Sequence, residues 1–123
     1  MAVKRSSKEL TVISQTHDLL VWTLRHTARF PRSHRFGLGE RIEVKLHSVM
    51  ELLLAAKYAS IVSGKAGLLT DAALRCEEYR FLLRTAHDLG LLPHDSYGFA
   101  ATQLDEISRQ ILAWKRSACE ANR

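Results

Sequence analysis

Apolar positions along this chain recur every three or four residues in four separate runs, which is the spacing of one buried helix face. In the first, from Leu10 to Ala28, the stripe is read through Ile13, Leu20 and Leu24, widened by Val12, Leu19 and Trp22. Ser6 followed by Glu9 predicts a capping box at its start, and Pro31 forces Phe30 out of the α region, so the helix is expected to stop just before it. The second run, Ile42, Leu46, Val49, Met50, Leu53, Ala56 and Ile61, is the clearest, and the glycines of "SGKAG" (residues 63 to 67) predict a turn after it. Leu69, Ala72, Ala73, Cys76, Tyr79, Leu82, Leu83 and Ala86 form the third, with Thr70 or Asp71 as its expected cap and Gly90 as a left-handed stop. The fourth places Tyr97, Ala100, Ala101, Leu104, Ile107, Ile111, Leu112 and Trp114 on one face, after a cap at Asp95 or Ser96. No stretch alternates with period two long enough for a strand. Four such helices with short turns predict an all-α, antiparallel up-down-up-down four-helix bundle.

A chain of 123 residues is expected to form one domain, 1–123, with 1–8 and 117–123 as frayed tails. Cys76 and Cys119 stand far apart with no CxxC spacing, so neither a zinc site nor a disulfide framework is suggested. No apolar stretch has the length of a signal sequence or a membrane span. The expectation is a soluble, cytoplasmic protein that makes no membrane contact.

Charge changes this picture. Lys and Arg number 18 against 13 Asp and Glu, for a formal +5. All of that excess falls within residues 1 to 35, while the rest of the chain carries eleven of each sign. An anionic partner is implied. Arg25 and Arg29 stand i, i+4 on the first helix, Arg32 and Arg35 lie in or just past the following turn, and Arg41 and Lys45 are again i, i+4 on the second. Such rows can meet successive phosphates, which arginine contacts bidentately.

Catalytic and cofactor signals fail individually. The glycines of "FGLGERI" would complete a dinucleotide fingerprint only with glycine where Ile42 stands, and "SGK" lacks the phosphate-loop glycine at Ala59 and the hydroxyl at Ala66. Six histidines include no i, i+4 pair and no HExxH, so no metal is expected and the histidines are read as solvated. Glu77–Glu78 and Asp105–Glu106 are adjacent and diverge on a helix, which marks a wet face. Cys76 lies on an apolar stripe, where cysteine behaves as a small hydrophobe. The reading is of a non-enzyme with no cofactor.

The stretch "FPRSHRFGLGERI" (residues 30 to 42), followed by "ELLLAAKYA" and then "RFLLRTAHDLGLL" (residues 80 to 92), closely resembles the accessory variability determinant proteins of diversity-generating retroelements. These sit in a wider family of four-helix bundles that includes proteins encoded in intervening sequences of 23S ribosomal RNA genes. The resemblance spans about Leu20 to Trp114. It implies a homopentameric barrel that binds RNA and DNA with weak sequence preference. It also implies binding to the element's reverse transcriptase, in support of mutagenic copying of a template RNA. Carried onto this chain, it makes Arg32, His34, Arg35 and Arg41 the candidate contacts to nucleic acid or polymerase. The alternative is a non-catalytic structural bundle of the ribosomal intervening-sequence type. Gly37 stands where similar sequences often carry a polar residue, and with Gly39 it predicts a late or loose start to the second helix. Phe30 and Phe36 are expected to anchor the turn, with Ser33 as cap.

Overall fold

A computed structural model describes residues 2–60 and 62–121, with side chains described for 8–60 and 64–120. Four long helices carry the chain: α1 (Ala2–Thr27), α2 (Glu40–Tyr58), α3 (Val62–Asp88) and α4 (His94–Ala121). Among the described residues there is no strand, and the fold is an all-α four-helix bundle. α2 packs on α3, α3 on α4, and α1 lies against both α2 and α4.

The stripes of α2, α3 and α4 are buried as their spacing predicts, with Ile61 of the second run lying outside the described residues. Ile42, Leu46, Val49, Leu53 and Ala56 of α2 meet Leu69, Ala72, Cys76 and Leu83 of α3 and Leu104, Ile107 and Ile111 of α4. Each large side chain withdrawn in this way contributes roughly 1.5–3 kcal/mol. Leu112, by contrast, is half-exposed.

α1 turns a different face inward from the one its leucines suggest. The buried line is Val12, Thr16, Leu19, Thr23 and Thr27, whereas Leu24 is 45% exposed and Ile13 and Leu20 are only partly covered. Threonine tolerates this burial because its hydroxyl can return to the preceding turn: Thr16 donates to the Val12 carbonyl at 2.8 Å and Thr23 to that of Leu19 at 2.7 Å. Since the Thr23 proton is used there, the buried Tyr79 hydroxyl donates to Thr23 Oγ1 at 2.8 Å, tying α1 to α3. Lys57 near the end of α2 reaches Glu9 near the start of α1 at 3.6 Å, and Thr27 at the end of α1 donates to Glu43 near the start of α2.

Several expected boundaries move. α1 runs from Ala2, so residue 6 lies inside the helix and does not begin it; its side chain is outside the described residues. "SGKAG" is the opening of α3 and not a turn, the break falling instead at Ala59 and Ser60. Thr70 accordingly sits within α3, donating to the Ala66 carbonyl, and Asp71 is likewise internal. α4 starts at His94 immediately after Pro93, which puts Asp95 and Ser96 in its first turn. Pro31 does close off α1, and Gly90 does take a positive φ of 76°.

Candidate nucleic-acid interface

The connection from α1 to α2 is built from helical pieces. After a turn at residues 28–30, Pro31 precedes a helical turn, Arg32–His34, which passes into a π-helical turn, Arg35–Gly39, and directly into α2. The expected late start is therefore reversed: helical geometry begins at Arg32, and the two glycines are absorbed by a wider turn. Gly39 is buried, and a Cβ there would stand 3.3 Å from Phe30 Cδ2 and 3.4 Å from the His34 carbonyl oxygen. Ser33 does not cap, since Pro31 holds the cap position without a side-chain hydrogen bond. Of the two expected anchors only Phe30 is buried; Phe36 is 69% exposed.

This scaffold holds up five arginines. Arg25, Arg29, Arg32, Arg35 and Arg41 are all exposed, and none has a carboxylate within ion-pair distance among the described residues. Lys45 differs: its ammonium lies 3.3 Å from Glu78, whose other oxygen is taken by Arg75. The Arg75 hydrogen bond, with Lys45 behind it, holds the Glu78 carboxyl below its ordinary value. His34 is half-buried beside the turn.

Arginines of α3 and α4 behave otherwise. Arg80 bridges Glu77 at 3.1 Å and Asp105 at 2.6 Å, Arg84 faces Asp88 at 3.8 Å, and Arg109 meets Glu106 at 2.6 Å. The paired acids expected on a wet face thus form ion pairs with these arginines. A surface ion pair adds little stability. Its consequence here is electrostatic, because Arg80, Arg84 and Arg109 are locally neutralised while the arginines of the α1–α2 connection are not. Among the described residues, Lys8, Lys65, Lys115 and Arg116 also stand without a carboxylate within ion-pair distance, but they lie near the opposite helix ends.

A family model described as bAvd-like matches residues 10–118. The chain belongs to the bAvd-like family. The family is of an accessory, non-catalytic type, in line with the expected resemblance. Among curated proteins no match is found.

Two features of the family member's surface escaped the sequence patterns. Trp22 stacks on His26, ring centroids 3.8 Å apart, and approaches Phe99 of α4 at 5.8 Å. His26 is therefore half-buried and hydrogen-bonded through Nδ1 to the Trp22 carbonyl, where a solvated histidine was expected. On the other side, Phe36, Val44, Leu74 and Phe81 line a groove of about 970 Å³ between α2 and α3, with Arg41 and Lys45 at its wall. The signal for that groove was their position off the core stripes. Cys76 is buried and Cys119 exposed, as expected. No described helix is long and apolar enough to cross a membrane.

Proposed function

We propose that this chain is a nucleic-acid-binding accessory subunit of a diversity-generating retroelement, acting in the cytoplasm without catalysis of its own. It binds the element's reverse transcriptase and holds template RNA or cDNA electrostatically during mutagenic copying. Membership of the bAvd-like family supports the retroelement role. The observation that carries the binding role is the segregation of charge: five arginines around the α1–α2 connection stand without carboxylates, while Arg75, Arg80, Arg84 and Arg109 of α3 and α4 are paired. Unpaired guanidinium groups are free to displace counterions from phosphates, and arginine does so with a planar, bidentate fork.

The fold is an antiparallel up-down-up-down bundle, a topology supported by Lys57–Glu9 and Thr27–Glu43, which join opposite ends of α1 and α2. It assembles as a homopentameric barrel. Exposed Phe36, Val44, Leu74 and Phe81 supply the apolar surface that such an assembly would cover.

The test is neutralisation of Arg32, Arg35 and Arg41 to glutamine. Each lost phosphate contact lowers the slope of log affinity against log salt by roughly 0.7 to 0.9, without base preference. Arg75→Gln with Arg109→Gln is the control, because both are already ion-paired. Wild-type affinity and slope in the triple variant, with loss in the control, would move the binding surface to α3 and α4.

A further inference from the structure

The turn between α3 and α4 brings together two histidines seven residues apart. His87 lies in the last turn of α3 and His94 opens α4, and the Nε2 of the first is 3.4 Å from the Nδ1 of the second. Asp88 Oδ1 stands 3.2 Å from His87 Nδ1, so the carboxylate accepts that N–H and leaves Nε2 as a lone pair directed at His94. From these contacts we propose that His87 and His94 form a binding site for a divalent transition-metal ion such as Zn²⁺.

The spacing fits the ion. Two imidazole nitrogens, each about 2.0–2.1 Å from zinc at a tetrahedral angle, stand about 3.4 Å apart. Without metal, the same gap holds an N–H···N hydrogen bond, with the His94 proton on Nδ1. Coordination moves that proton to His94 Nε2, and Nδ1 turns its lone pair to the ion. Asp88 supplies the orienting carboxylate that metal-bound histidines usually have, fixing the tautomer of His87. Arg84, 3.8 Å from the other oxygen of Asp88, keeps that carboxylate in place.

The turn is already fixed in shape. Leu91 N–H bonds to the Ala86 carbonyl at 2.8 Å and Gly90 N–H to that of His87 at 2.9 Å, the two hydrogen bonds of a Schellman stop, with Gly90 at its positive φ. Tyr97 stacks on the His87 ring with centroids 4.6 Å apart. Little rotamer freedom is left to lose on binding. Among the described residues no cluster of three metal-ligating side chains exists, so water completes the coordination sphere. The His87 side chain is 28% exposed and His94 is exposed, which leaves room for those waters.

The experiment titrates untagged full-length protein with ZnCl₂ by calorimetry and with CoCl₂ by visible absorption. Expected is one saturable ion per chain, with cobalt d–d bands and a rise in the melting temperature. His94→Ala weakens binding more than tenfold, and Asp88→Ala does so by about tenfold or more through the freed His87 ring. His17→Ala with His47→Ala leaves binding unchanged. Circular dichroism confirms that each variant folds. Equal binding by His94→Ala, or no saturable binding by the wild type up to millimolar metal, overturns the site and reduces the pair to a hydrogen bond. Nucleic-acid affinity is a separate readout, so failure here does not touch the arginine surface.

Discussion

Single residues show how a core can hold polar atoms without penalty. Thr23 and Tyr79 satisfy each other across α1 and α3, and burial pushes the Tyr79 phenol well above its ordinary range. The same burial pushes the Cys76 thiol up to about 11 from 9.0, against the opposing Ser108 hydroxyl. In the unfolded chain that thiol ionises near 9.0, while the folded protein keeps the proton until about 11. Its contribution to stability is therefore complete below pH 9 and is lost as pH rises through about 11. The expected loss is on the order of 2 kcal/mol. Urea midpoints at pH 8 and pH 10.5 should fall further for the wild type than for Cys76→Ala. A parallel fall would show that the thiol is solvated. The exposed Cys119 should react first with a thiol reagent, and its loss should leave nucleic-acid binding unchanged.

At the scale of elements, the π-helical turn at Arg35–Gly39 explains why two glycines do not loosen α2. They have different jobs. Gly39 is needed for close approach, since a Cβ there would press on Phe30 and on the His34 carbonyl. Gly37 faces open space, with nothing within 4 Å of an added Cβ. Gly37→Ala should therefore stabilise by about 0.5–1 kcal/mol, chiefly by reducing the freedom of the unfolded chain. Gly39→Ala should destabilise by roughly 1 kcal/mol through displacement of Phe30. Thermal melts of the two variants moving in the same direction would refute this division of roles. The comparison also tests whether the arginine-bearing connection owes its shape to Gly39.

For the whole molecule, an exposed apolar surface lies between α2 and α3, formed by Phe36, Val44, Leu74 and Phe81. On α1 and α4, Leu19 is in the core and Val21, Trp22 and Trp114 are half-buried, while Leu24 and Phe99 are exposed. Phe81 and Leu74, 63% and 53% exposed, are better placed to meet a second copy. Light scattering after size exclusion should give about 70 kDa for five chains of 13.9 kDa. Phe81→Asp with Leu74→Asp should shift that mass toward the single chain while helix content stays constant, since neither side chain supports the core. A monomeric wild type at micromolar concentration would exclude the barrel.

What the sequence determined by itself is local in origin. Hydrophobic spacing placed the buried faces of α2, α3 and α4, Pro31 ended α1, Gly90 ended α3, and Cys76 fell in the core, because period and backbone restriction act within a few residues. Clustered arginines were also legible as a count. Tertiary structure alone decided which arginines remain unpaired, since Glu78 and Asp105 reach Lys45 and Arg80 only across helices. It also decided that α1 buries threonines, whose hydroxyls are answered by carbonyls one turn back and by Tyr79 from another helix. "SGKAG" could join α3 because packing outweighs the propensity cost of glycine, roughly 1 kcal/mol per residue. His87 and His94, seven residues apart, meet only because the chain is folded back at Gly90, a contact with no signature in spacing.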